Sequence, residues 1–84
     1  MDILIDTNFI LTCTKQKIDL FSQLKELFGT TKILIPEHVI QELTRLSQDK
    51  SLKVKEREAA KLSINIINLN SVFIIDLETK NVDI

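Results

Sequence analysis

The chain is expected to adopt an α/β fold with a parallel sheet, and three observations predict it. Short apolar runs rich in β-branched residues (Ile3-Leu4-Ile5, Ile33-Leu34-Ile35, Val72 to Ile75) alternate with longer stretches of helical periodicity. The continuous apolarity of these runs suits buried parallel strands, which need helical crossovers between them. A single Gly and a single Pro in 84 residues favour long regular elements over tight turns. Asp6 closes the first run, at the carboxyl end of a strand, where open α/β sheets place their chemistry. The predicted order is β-α-α-β-α-α-β, a three-stranded parallel sheet with helices on both faces.

Residues 2 to 6 read as the first strand. Asp6, Thr7 and Asn8 are all good N-cap types, and Phe9, Ile10, Leu11 and Cys13 continue as a short helix. After a break at Gln16-Lys17, Ile18, Leu20, Phe21, Leu24, Leu27 and Phe28 recur at helical spacing, and Gly29 supplies a stop. Lys32 to Ile35 is the second strand. Pro36 opens a helix where its missing N–H is harmless, with Val39, Ile40, Leu43 and Leu46 as the inward stripe. Ser47 to Ser51 is a polar loop. A long helix is predicted from about Val54 to Asn68, charged first and apolar later, before the third strand ending at Asp76. Glu78 to Asp83 read as a loop leading to another helix. A three-stranded parallel sheet with exposed edges is uncommon as a finished product, so residues 1–84 read as a single, partial domain whose last part is missing.

Composition narrows the functional classes. With 44% hydrophobic and 27% charged residues, the chain has the make-up of a soluble globular domain. One Cys permits no intrachain disulfide, and no apolar stretch reaches the roughly 18 residues that read as a membrane span. A cytoplasmic location without membrane contact is the expectation. The net charge of −1 gives no global footprint for nucleic acid. One His and one Cys exclude zinc sites built from several such ligands, and a single Gly excludes phosphate-binding glycine-rich loops. His38 reads as a surface residue in the first turn of its helix. Lys50, Lys53, Lys55, Arg57 and Lys61, interleaved with Glu56 and Glu58, read as a solvated helix face in preference to an RNA-binding patch.

Carboxylates remain. On a helical wheel with Val39 at zero, Glu42 falls at about 300°, the margin of the apolar stripe. Such an acid either pairs outward, with Arg45 as a ready partner, or points into a cleft. Asp6 and Asp83 each precede a helix, so capping competes with function at both. Asn8 is either a second cap or an amide that orients a ligand. Taken as a set, Asp6, Glu42 and Asp83 can converge on one cleft, where mutual repulsion calls for a cation. Hard oxygen donors of this kind suit Mg²⁺ or Mn²⁺, ions that activate water for attack on a phosphodiester.

The segments ILIDTNFIL, ILIPEHVIQELTRL, VFIID and NVDI, in that order, resemble the PIN domain. The resemblance implies a metal-dependent endoribonuclease, as in toxins of toxin–antitoxin pairs or in RNA-processing proteins. Asp6, Glu42 and Asp83 match its catalytic, metal-binding acids, and Asn8 matches a supporting polar position. It also implies RNA as substrate and Mg²⁺ or Mn²⁺ as cofactor. An antitoxin or an RNA-processing protein is a possible partner. A full PIN domain continues for about another third of its length, still one ordinary domain, with a fourth strand and a further acid. The alternative reading is therefore a catalytically inactive, truncated PIN-like module acting as a dimerisation or RNA-protein scaffold. Homo-oligomerisation is expected, to cover the open sheet edge.

Overall fold

The computed structural model describes residues 2–29 and 31–76. Its elements run β1 (Asp2–Leu4), α1 (Thr7–Lys15), α2 (Leu20–Phe28), β2 (Lys32–Pro36), α3 (Glu37–Gln48), α4 (Val54–Leu69) and β3 (Phe73–Ile75). The predicted β-α-α-β-α-α-β order is thus realised. The strands form one parallel sheet in the order β1-β2-β3, flanked by the helices. β1 is shorter than the predicted strand, yet Ile5 still donates its N–H to the Leu34 carbonyl at 3.0 Å, extending the pairing one residue further.

Register explains the core. Ile3 pairs with Ile33, and Ile35 with Ile74, so these side chains share one face with the completely buried Ile5. That face packs against Ile10 and Leu11 of α1, Phe21 and Leu24 of α2, Val39 and Leu43 of α3, and Ile67 of α4. The opposite face carries the row Leu4, Leu34 and Phe73, in register across all three strands. Leu4 and Phe73, at 57% and 53% exposed, leave the two ends of that row open to solvent. Lys32 lies over the Phe73 ring on this face, 5.0 Å from its centroid, a cation–π contact.

Each helix boundary has a local cause. The Asp19 carboxylate caps α2 by accepting from the Ser22 N–H and hydroxyl. Gly29 ends α2 at φ 68, ψ −133, a conformation essentially reserved for glycine, and a Cβ there would meet nothing within 4 Å. The requirement at Gly29 is therefore one of backbone angle, not of space. Pro36 is the N-cap of α3, so the helix begins at Glu37, one residue later than predicted; Pro36 offers no side-chain cap, and Glu37 supplies negative charge to the first turn instead.

The packing face of α4 takes in part of the predicted apolar half, with Ile67 buried and Ile64 and Ile66 half-buried against the core, and adds small residues before it. Ala59, Ala60, Ser63 and Ile67 are buried, whereas Leu62 and Leu69 are exposed. At about 100° per residue, Leu62 and Leu69 lie across the helix from Ala60 and Ile67. Small side chains let α4 approach both α1 and α3, its main neighbours. The closest junction is polar: the buried Thr14 and Ser63 hydroxyls sit 2.9 Å apart, and each also reaches its own helix, Thr14 to the Ile10 carbonyl and Ser63 to Ala59, both at 2.8 Å. Two hydroxyl protons are shared among three contacts, so the two hydroxyls and the two carbonyls form one coupled arrangement.

Candidate functional site at the carboxyl edge of the sheet

Asp6 follows β1 after Ile5 and becomes the N-cap of α1 because its backbone is extended (φ −100, ψ 172) while Thr7 is helical. Its Oδ1 accepts from the Phe9 N–H at 2.8 Å. The side chain is exposed, so its second oxygen has solvent access. Extrapolating the β1–β2 register brings Asp6 level with Pro36, where β2 turns into α3. Asp6 and the start of α3 therefore share the carboxyl edge of the sheet.

Glu42 lies on α3, roughly 9 Å along the helix axis from Pro36. Its position at the margin of the buried stripe is as the wheel predicts: Val39 and Leu43 are buried, Ile40 and Leu46 half-buried, and Glu42 exposed. Its Oε2 stands 3.8 Å from Arg45 Nη2, so the outward pairing competing with a cleft role is present. With side chains 45% and 63% exposed, this is a loose, solvated pair. Asn8 is the second residue of α1 and exposed. Asp83 lies outside the described residues.

The donor chemistry of Asp6 and Glu42, hard and solvent-accessible carboxylate oxygens, is of the kind Mg²⁺ and Mn²⁺ accept. Among the described residues, however, no group of three or more His, Cys, Asp or Glu side chains comes together to hold a metal ion. Asp76 was read from sequence only as the end of the third strand. Since Pro36 pairs with Ile75, the structure puts Asp76 on the same carboxyl edge, at the end of β3 with β2 between it and β1. The sequence signal for it was the same as for Asp6, an acid terminating an apolar run.

Two further acids are committed elsewhere, and the lone histidine is solvent-facing. His38 is exposed in the first turn of α3, as read from sequence. In the α3–α4 loop, Ser51 donates both its hydroxyl (2.6 Å) and its N–H (3.0 Å) to Asp49. Those bonds, hydroxyl first, hold the Asp49 carboxyl below its ordinary value, aided by the positive charges of Arg45 and Arg57. On α4, Glu56 is engaged by Lys15 of α1 at 2.6 Å, which ties part of the charged stretch to the body of the domain.

An open parallel sheet with an acid at the carboxyl end of its first strand and another on the helix after its second defines a class, α/β proteins with a carboxylate-bearing edge. Within that class the family is specific. The profile of the PIN like domain matches residues 3–83, nearly the whole chain, and the chain belongs to that family, whose fold is of the nuclease type. No curated protein and no solved structure gives a significant match. Among the described residues, no helix is long and apolar enough to cross a membrane.

Proposed function

We propose that this chain carries the chemistry of a metal-dependent endoribonuclease, hydrolysing RNA phosphodiester bonds at a carboxylate-bound Mg²⁺ or Mn²⁺. Family membership across residues 3–83 is the observation that carries this reading. The exposed acids at the carboxyl edge support it. In this reading Asp6, Glu42 and Asp83 are the metal ligands and catalytic acids, with Asn8 orienting the first of them. The ion would polarise a phosphoryl oxygen and activate water, so no covalent nucleophile is required. A cytoplasmic setting fits the one cysteine, Cys13, which is buried and unpaired. Both an antitoxin-regulated toxin and an RNA-processing factor are compatible roles.

A second reading, a PIN-like scaffold without catalysis, is favoured by one observation: the Asp6 carboxylate already caps α1. Such a module would self-associate through its open sheet. The two readings separate in one assay, cleavage of a mixed single-stranded RNA in Mn²⁺, with and without a chelator, by the chain and by Glu42→Gln. Chelator-sensitive cleavage that Glu42→Gln loses supports the nuclease. Absence of cleavage, together with sedimentation as a stable oligomer, supports the scaffold.

A further inference from the structure

Asp2 of β1 and Lys32 of β2 are register partners on adjacent strands, and both are exposed. They are nevertheless not bonded to each other, and neither enters an ion pair among the described residues. Lys32 leans the other way, with its Nζ 5.0 Å from the centre of the Phe73 ring on β3. Side chains on one face of a sheet recur every second residue, so Asp2 and Lys32 stand at the amino end of the face that carries Leu4, Leu34 and Phe73. Leu4 and Phe73 are more than half exposed, and Leu34 is half-buried between them. An apolar row thus lies beside one uncommitted acid and one base.

We propose that this face pairs with the same face of a second copy of the chain, about a two-fold axis that runs along the strands over the seam between β1 and β2. A two-fold contact between identical chains must be self-complementary, and the charges select the axis. An axis over β2 would set Lys32 against Lys32 of the second copy. An axis over the seam exchanges β1 with β2 and keeps the register. Asp2 then meets Lys32 of the second copy, twice, and Leu4 meets Leu34, twice. Packed sheets lie about 10 Å apart with their strands aligned, a gap that an aspartate and a lysine reaching from opposite sides close. Phe73, on β3, sits at the rim of this contact. The face is small, three short strands about 4.8 Å apart, so the dimer is weak and reversible, with a Kd on the order of 100 µM. Asp6 follows the other end of β1, and Glu42 lies on α3. The pairing therefore deepens the scaffold reading above without requiring it, and it leaves the candidate acids to the nuclease reading.

Sedimentation equilibrium from about 10 µM to 1 mM, at low salt, tests the pairing through a charge swap, the range bracketing the expected Kd. Asp2→Lys and Lys32→Asp each leave one sign of charge on the face, and both positions are exposed, so the fold is kept. Each substitution turns two attractive pairs into two repulsive ones and should weaken the dimer by at least about tenfold. The double variant Asp2→Lys/Lys32→Asp should recover the wild-type affinity. An equimolar mixture of the two single variants should also recover it, as a one-to-one heterodimer, because every lysine then faces an aspartate. Only a contact between chains gives that last result, since no rearrangement within one chain depends on mixing. A wild-type chain that stays monomeric at 1 mM leaves the face to some other occupant and overturns the proposal. So does an oligomer indifferent to both single substitutions, or a mixture that stays monomeric. The readings of the site fail separately: an oligomer that ignores these charges keeps the scaffold and removes this face, whereas the charge-dependent dimer with Mn²⁺-dependent cleavage keeps the face and removes the inactive scaffold.

Discussion

Asp6 holds two positions at once, N-cap of α1 and candidate metal ligand, and substitution separates them. The cap is a 2.8 Å bond from the Phe9 N–H to Oδ1. Asn offers the same oxygen at the same place, so Asp6→Asn keeps the bond and loses only the interaction of a negative charge with the helix N-terminus, about 0.3–1 kcal/mol. Asp6→Ala loses the bond as well, and caps of this type are worth about 0.5–2 kcal/mol. A domain of 84 residues has a total stability of roughly 4–13 kcal/mol, so both variants stay folded. Urea denaturation should rank them wild type, Asn, Ala, with unchanged m-values. Mn²⁺-dependent RNA cleavage should rank them differently, with both variants equally dead. Even an outer partner of a metal ligand is worth about 10–100-fold, so losing the ligand itself should exceed hundredfold. Wild-type cleavage by Asp6→Asn would sink the catalytic role and leave Asp6 as a cap alone. Asn as destabilising as Ala would show that the capping bond is not what stabilises this junction.

Two further outcomes follow from the structure. Ser63 is completely buried between α4 and α1, with its hydroxyl in the shared proton arrangement with Thr14. Ser63→Ala should cost about 1 kcal/mol, one net hydrogen bond, because Thr14 can still donate to Ile10. Ser63→Val should cost about 1–3 kcal/mol more through overpacking, read by urea midpoints. Asp49 has its folded-state pKa depressed below the ordinary 3.8 by the Ser51 bonds and the nearby arginines. Its contribution is therefore present above the unfolded pKa and is lost as pH falls through the folded value. Asp49→Asn should lower stability slightly at neutral pH and not at all at the acid end of the titration, so the two pH–stability curves converge below about pH 4.

Patterns with a fixed period were the legible part of this fold. β2, α3 and the stop at Gly29 follow from a continuous apolar run, a 3.6-residue stripe and a conformation reserved for glycine; all are present, with the β2–α3 boundary one residue beyond its predicted place. The face of α4 was not legible in the same way. Its large apolar residues Leu62 and Leu69 outweigh Ala59, Ala60 and Ser63 in any count of hydrophobicity, yet close approach to α1 and α3 selects the small residues for the interface. Burial there is decided by the distance between helices, which only the assembled structure contains.

The candidate site shows why local rules read acids ambiguously. A strand end that begins a helix favours Asp, Asn or Ser as cap, and a metal edge favours Asp, so the same residue at the same junction satisfies both. At Glu42 the overlap is between a solvated ion pair with Arg45 and a ligand, and the structure contains the ion pair. The two demands differ in one physical respect. Capping needs an oxygen acceptor and tolerates a neutral amide, whereas holding a divalent ion beside other carboxylates needs the charge itself. Position 6 therefore tests the chemistry more sharply than position 42, because Asp6→Asn removes the charge and leaves the cap bond in place. A neutral amide at position 42 removes the charge and also frees a guanidinium, so it alters two interactions in one step.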